Sequence, residues 1–292
     1  MLIYTMLFVG LALALHLQKI QNKFYTVKYT CSVIICLCGS LILLAVNGSE
    51  ITTDSFDFLT DYRFYLAQVF NIVMLMVQVE GRKQNEKNME VFYFSSFLII
   101  SAIPILTPLL TDVFNFKYAV VETYSSPYSK YALVGCMLVL SFLFYARKLR
   151  NKTCHRPDLL VANIVFGSVA IILGGRLVQE YNAINYLIAA SVFTAISFLG
   201  LALFNGEHKR IRDANLQIRP ISEIVFCFVV SLYISSYVIK HSTIETYTII
   251  RSVGFIFVSY AYSWIVEKQK THNLRDAVLL GLMIISLFVF SG

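Results

Sequence analysis

GCMLVLSFLF, Gly135 to Phe144, and GLMIISLFVF, Gly281 to Phe290, share Gly, Met, Phe and Phe at their first, third, eighth and tenth positions. They lie 146 residues apart in a chain of 292. Just ahead of them Leu133 matches Leu279. Within them Leu138 with Ile284, Val139 with Ile285 and Leu143 with Val289 are conservative. Apolar helices in a chain with 23 Phe resemble one another by composition alone. Position makes this pair informative, because the basic loop RKLRNKTCHRP, Arg147 to Pro157, follows the first copy and divides the chain in half.

The chain is 58% hydrophobic and only 14% charged. A soluble domain carries about 25% charged residues, enough to cover a polar surface. Here the apolar residues also gather into runs close to the ~20 needed to cross a bilayer. Ten such runs fall at 2–18, 29–47, 62–79, 91–111, 130–146, 159–177, 184–204, 221–239, 245–266 and 276–291. They predict α-helices, since backbone groups in hydrocarbon must be satisfied within the segment. A membrane barrel would show alternating ten-residue segments instead. The first run lacks a basic leader and reads as a first span rather than a cleaved signal peptide.

The net charge of +7 does not point to nucleic acid, because the bases collect in short loops. Lys19, Lys23 and Lys28 follow run one; Arg82, Lys83 and Lys87 follow run three. Arg147, Lys148, Arg150, Lys152 and Arg156 follow run five. Lys209, Arg210, Arg212 and Arg219 follow run seven; Lys268, Lys270 and Arg275 follow run nine. Eighteen of the 24 Lys and Arg therefore lie in odd-numbered loops, which the positive-inside rule places in the cytoplasm. Both termini are then expected outside. The six exceptions are Arg63, Lys117, Lys130, Arg176, Lys240 and Arg251. No connection is long enough for a soluble domain.

The six cysteines form neither a CxxC pair nor a Cys/His cluster and read as small buried hydrophobes. The five histidines, His16, His155, His208, His241 and His272, lie at span ends or in loops, so neither haem ligation nor a metal site is indicated. No cofactor is expected.

Ionisable groups inside spans are costly and are functional candidates by default. Arg251 lies six residues into run nine, roughly 9 Å along a helix. It either holds an anionic substrate in a central cavity or snorkels to the outer interface. Arg176 and Glu180 are four apart and suited to pair on one helical face near the outer interface. Tyr65, Gln68 and Asn71, three apart in run three, suggest a polar stripe that lines a path or bonds neighbouring helices. Run eight adds Tyr233 and Tyr237 among Ser231, Ser235 and Ser236. Trp264 and its neighbours suit an interfacial aromatic belt. No Asp or Glu sits deep in a span, which argues against a carboxylate-driven cation exchanger and for a neutral or anionic substrate.

ITTDSFDFLTDYR, Ile51 to Arg63, carries Asp54, Asp57 and Asp61. Paired Asp-rich motifs in membrane prenyltransferases hold Mg²⁺ against a diphosphate. A second motif is missing, since Asp158, Asp213 and Asp276 are scattered. A solvated acidic loop is the expected reading.

TYTIIRSVGFIFVSYAYSWIVEKQKTHNLRDAVLLGLMIISLF, Thr246 to Phe288, resembles the end of EamA-type members of the drug/metabolite transporter superfamily, through Glu267 after span nine and Gly281 early in span ten. Pro104, Pro108 and Gly135 give a weaker echo in the first half. Span nine has Gly254 where the family usually has Pro, and the family's termini usually face the cytoplasm. The resemblance implies two inverted five-helix repeats and a transport activity.

The expectation is therefore an all-α polytopic membrane protein of about ten transmembrane helices. Residues 1–147 form one repeat, 148–157 a basic linker and 158–292 the inverted second repeat. An odd number of spans per repeat forces the inversion, and a site near the midplane follows. A secondary transporter of a small metabolite is expected, embedded in membrane lipids of a bacterial inner membrane, with Arg251, Tyr65, Gln68, Asn71, Tyr233 and Tyr237 lining its path. Two rivals remain open. One is a membrane enzyme or assembly factor acting on a lipid-linked substrate; the other is a non-catalytic subunit or sensor. Gly281 is expected to permit close helix packing.

Overall fold

The computed structural model describes residues 9–14, 26–48, 53–84, 89–117, 128–149, 156–211, 218–244, 246–248, 251, 254, 258, 278, 279, 281–283, 285, 286 and 289. His16, Cys154, Trp264, Glu267 and most of the central basic linker lie outside these residues. Every element among the described residues is helical. The helical stretch 9–14 is designated α1. It is followed by α2 (Lys28–Asn47), α3 (Tyr62–Gln84), α4 (Met89–Val113), α5 (Ser129–Leu149), α6 (Pro157–Glu180), α7 (Ala183–Phe204) and α8 (Ile218–His241). Short 3₁₀ segments occupy Thr53–Thr60 and Glu207–Lys209. Isolated helical positions follow from 244 to 289.

Each apolar run expected between 29 and 239 coincides with one helix. Among the described residues, five helical segments are long and apolar enough to cross a membrane: Lys28–Asn47, Tyr62–Glu80, Pro157–Glu180, Ala183–Phe204 and Ile218–His241. Their outward faces keep large apolar side chains exposed, among them Leu41 at 64%, Phe204 at 90% and Ile218 at 87%. Water would not tolerate so much apolar surface, whereas lipid tails would. The chain is thus a multi-pass helical membrane protein.

Two compact units divide the chain. The first comprises Met1–Tyr62 and Leu177–His241; the second comprises Arg63–Arg176 and Ser242–Gly292. Each unit draws on both halves of the sequence, so compactness partitions the chain differently from the expected repeats.

In the first unit α2 packs on α7 and α8. Lipid tails are as apolar as Leu, so close van der Waals fit, not hydrophobic transfer, holds membrane helices together. Gly39 supplies that fit: a Cβ there would lie 2.9 Å from the Phe228 ring on α8. Val27, just before α2, and Cys31 and Ile35 of α2 close the same seam against Ile224 and Val225. On the α7 side, Tyr29 and Phe198 stack with centroids 5.6 Å apart. Cys31, Cys36 and Cys227 are buried free thiols, as small hydrophobes should be.

In the second unit α4 packs on α5, and α4 remains one helix through Pro104 and Pro108. Ile99 and Ile103 of α4, Ile172 of α6 and Ile244 form its core. Gly167 and Gly175 of α6 admit Ile99 and Ile244, at 2.9 and 3.1 Å from where a Cβ would stand. The close packing expected at Gly281 is not seen among the described residues. Neither it nor Gly135 has a described neighbour within 4 Å of an added Cβ.

Candidate functional site

One end of the first unit is organised by a carboxylate. α2 begins after Val27, whose side chain caps nothing. The first helical N–H groups therefore need an acceptor from elsewhere. Gly206 turns the chain after α7 in the left-handed conformation (φ 67°), and the next residue is Glu207. Its carboxylate, only 3% exposed, accepts from Tyr29 N (3.3 Å), Thr30 N (2.9 Å) and Thr30 Oγ1 (3.0 Å). A full negative charge thus meets the positive end of the α2 dipole. Sequence reasoning missed Glu207, because it stands in a loop rich in bases and pairs with a segment 177 residues away.

The opposite end of the same unit is a polar knot. Lys240, near the end of α8, donates to the carbonyls of Val178 (3.3 Å), Gln179 (2.8 Å) and Tyr181 (2.9 Å). These carbonyls close α6, so a cation sits on the negative end of that helix dipole. Gln179 Nε2 donates back to Ile239 O at 3.1 Å, and Tyr181 OH donates to Asp61 Oδ2 at 2.9 Å. Phe58 is fully buried, its ring edge-on to Tyr181 (5.8 Å) and Tyr186 (5.9 Å). The acidic segment is therefore not simply solvated: Asp57 faces outward, but Phe58 and Asp61 anchor it. Alternating apolar and acidic residues hid the anchor among the charges.

The second unit repeats the device. Arg63 donates to the carbonyls of Phe114 (3.2 Å) and Asn115 (3.3 Å) just past α4, and lies over the Phe116 ring at 4.5 Å. Asn115 adopts φ 54°, the left-handed turn that ends many helices. Arg176, 4% exposed, donates from Nε to Thr111 Oγ1 at 3.0 Å.

The candidate lining residues divide between the units. Tyr65, Gln68, Asn71 and Arg251 belong to the second, Tyr233 and Tyr237 to the first. Tyr65 is 44% exposed, Gln68 2% exposed and Asn71 half-buried. They do not form one uniform stripe, since a step of three residues turns about 300° and each residue lies ~60° round from the last. Tyr233 and Tyr237 are exposed at 45% and 41%, and Tyr237 stacks on His241 at 4.6 Å. Arg251 is exposed and lies 5.8 Å over the ring of Tyr247, one turn back, which is itself buried. A guanidinium steadied on an aromatic face still offers its N–H fork to an anion.

Among the described residues no group of three or more His, Cys, Asp or Glu is placed to hold a metal. The chain matches no protein-family model and no curated protein sequence.

Proposed function

We propose that the protein is a secondary transporter of a small neutral or anionic metabolite, built from two inverted five-helix repeats and similar in plan to EamA-type drug/metabolite transporters. One observation carries the reading: positions 146 residues apart have matching environments. Leu133 and Leu279, Met137 and Met283, and Leu140 and Ser286 are buried in both copies. Ala132 and Val278, Val139 and Ile285, and Leu143 and Val289 are exposed in both. Among the described residues, nothing lies within 4 Å of a Cβ added at Gly135 or at Gly281. Two helices that merely shared an apolar composition would have no reason to bury the same register.

The first spans of the two halves support the same correspondence. Gly10, in GLALALHLQKIQ, approaches Ile234 of α8, at 3.2 Å from an added Cβ. Gly167, in GSVAIILGGRLVQ, approaches Met74 of α3 at 3.6 Å. Exchanging the halves turns spans one and eight into six and three, so the two contacts are mates under the repeat.

Arg251 is the residue for the anionic group of the substrate. The test is counterflow of neutral and anionic metabolites in proteoliposomes, with Arg251→Ala and Arg251→Lys beside the parent. Transport of an anion lost in the alanine variant and partly kept in the lysine variant is expected. Unchanged transport in both variants removes Arg251 from the path. Absence of flux for every metabolite class tried, in protein that remains folded, removes the transport reading.

A further inference from the structure

The end of the first unit that Glu207 organises is basic at its surface. Lys28 opens α2, His208, Lys209 and Arg210 follow α7, and Arg219 stands at the start of α8. Val27 and Cys31 pack against Ile224 and Val225, so the starts of α2 and α8 lie level with one another. His208, Lys209, Arg210 and Arg219 are exposed. The two described carboxylates at this end are both engaged. Glu207 turns inward onto Tyr29 N, Thr30 N and Thr30 Oγ1. Glu223 accepts from Arg219 Nε at 3.3 Å, one helical turn away. Lys209 and Arg210 therefore stand on a turn whose own acid is withdrawn from the surface. The turn is also fixed in shape: Lys209 N donates to Gly206 O at 3.2 Å and Arg210 N to Glu207 O at 2.8 Å.

The same end carries large apolar side chains. Leu203 and Phe204 close α7 and Ile218 opens α8, all three exposed. Since α7 is of span length, Phe204 lies at the edge of the hydrocarbon, and Lys209 and Arg210, a few residues on, lie at headgroup depth. We infer that the turn of residues 206–210 is a binding site for an anionic phospholipid. The guanidinium fork of Arg210 and the ammonium of Lys209 take the phosphate oxygens, and Phe204 lies against the acyl chain. Both cations suit a phosphate, and a base beside a membrane span attracts anionic lipid. Glu207 serves this surface by leaving it: the carboxylate that caps α2 no longer opposes the two cations beside it in sequence. The inference is independent of whether the chain moves a metabolite.

The test is lipid binding to the full chain in detergent, read by native mass spectrometry and by melting temperature. The probes are palmitoyl-oleoyl phosphatidylglycerol, the phosphatidylcholine with the same chains, and glycerol phosphate as a soluble anion. Phosphatidylglycerol is expected to bind more tightly than phosphatidylcholine and to raise the melting temperature, while glycerol phosphate at the same concentration does neither. Lys209→Gln with Arg210→Gln should weaken phosphatidylglycerol by roughly tenfold or more, to the level of phosphatidylcholine. Lys209→Arg with Arg210→Lys keeps the charge and should keep the binding. Phe204→Ser should weaken both lipids, because it removes apolar contact and no charge. Arg147→Gln with Lys148→Gln removes the same charge from the central basic loop and should leave binding nearly unchanged. Should the Lys209/Arg210 glutamine pair fail to fold, Arg210→Gln alone should weaken phosphatidylglycerol roughly fivefold. Equal affinity for the two lipids overturns the proposal. So does an equal loss from the two glutamine pairs, which would make the binding a matter of overall charge, or unchanged binding in Arg210→Gln and in the Lys209/Arg210 pair. Glycerol phosphate binding as tightly as the lipid, with no effect of Phe204→Ser, would make this a site for a soluble anion and overturn the lipid as its occupant.

Discussion

Removing the Glu207 carboxylate tests how the first unit is held at its capped end. Glu207→Ala strands two backbone N–H groups of α2 in a site where Glu207 itself was only 3% exposed. Hydrogen bonds to a charged group are worth about 1.5–3 kcal/mol each, but bonds sharing one carboxylate are not additive, so the total loss is about 3–4 kcal/mol. Glu207→Gln keeps an acceptor and loses the charge that faces the helix dipole, a loss of about 1–2 kcal/mol. At roughly 2–4 °C per kcal/mol for a chain of this size class, melting should fall by about 6–16 °C for alanine and about 2–8 °C for glutamine. Thr30→Val removes only the hydroxyl bond of 3.0 Å and should cost about 1 kcal/mol. Combined with Glu207→Ala it should add little, because its partner is already gone. The assay is thermal unfolding in detergent, followed by loss of the monodisperse peak on size exclusion. An alanine variant that melts within about 1 °C of the parent would refute the trans-capping argument. Equal melting of the alanine and glutamine variants would refute the electrostatic part alone.

Two further predictions concern glycines in opposite surroundings. Gly39→Leu should lower the melting temperature more than Gly39→Ala, whose Cβ alone meets the Phe228 ring at 2.9 Å, an overpacking of about 1–3 kcal/mol. Gly39→Ala with Phe228→Leu should recover part of the loss in the same assay; no recovery would mean that the ring is not the obstacle. Gly135→Ala and Gly281→Ala should be neutral or stabilising by up to about 1 kcal/mol, because each gains helix propensity and meets no described neighbour. A marked fall in melting temperature for Gly281→Ala would restore the close-packing role that the sequence suggested.

Helix positions were legible because the signal is local. An apolar run of span length bounded by charged loops leaves a membrane chain little choice but a helix, and α2, α3 and α6 to α8 lie where their runs predict. The polar architecture was legible only in part. Arg63, Arg176 and Lys240 stand out as bases on the wrong side of the charge count, yet nothing near them in sequence names their partners. Arg63 reaches carbonyls 51 and 52 residues on, and Lys240 reaches back about sixty. Glu207 was invisible because its role follows from a left-handed turn at Gly206 and from a missing cap at Val27, and neither is a composition signal. Tyr65, Gln68 and Asn71 share a helical face by spacing, but spacing does not tell their different burial, with Gln68 2% and Tyr65 44% exposed.

The exceptional bases also bear on orientation. Positive-inside counting assumes that a loop's charge is free to interact with the translocation machinery and the lipid headgroups. Arg63 and Lys240 are instead placed on helix C-termini, where exposed carbonyls carry partial negative charge. The expected alternation of spans would put those C-termini, of α4 and α6, on one membrane side, opposite the loops that hold most of the bases. A base held by the fold serves the fold first, so its presence on the sparse side does not weaken the asymmetry. With Arg176 bonded to Thr111 as well, three of the six exceptions have structural partners. Arg251 differs from those three, since its guanidinium is exposed and rests on an aromatic ring of its own helix rather than on a backbone end. That difference in partner, more than its depth in the span, makes Arg251 the cation to test for a ligand.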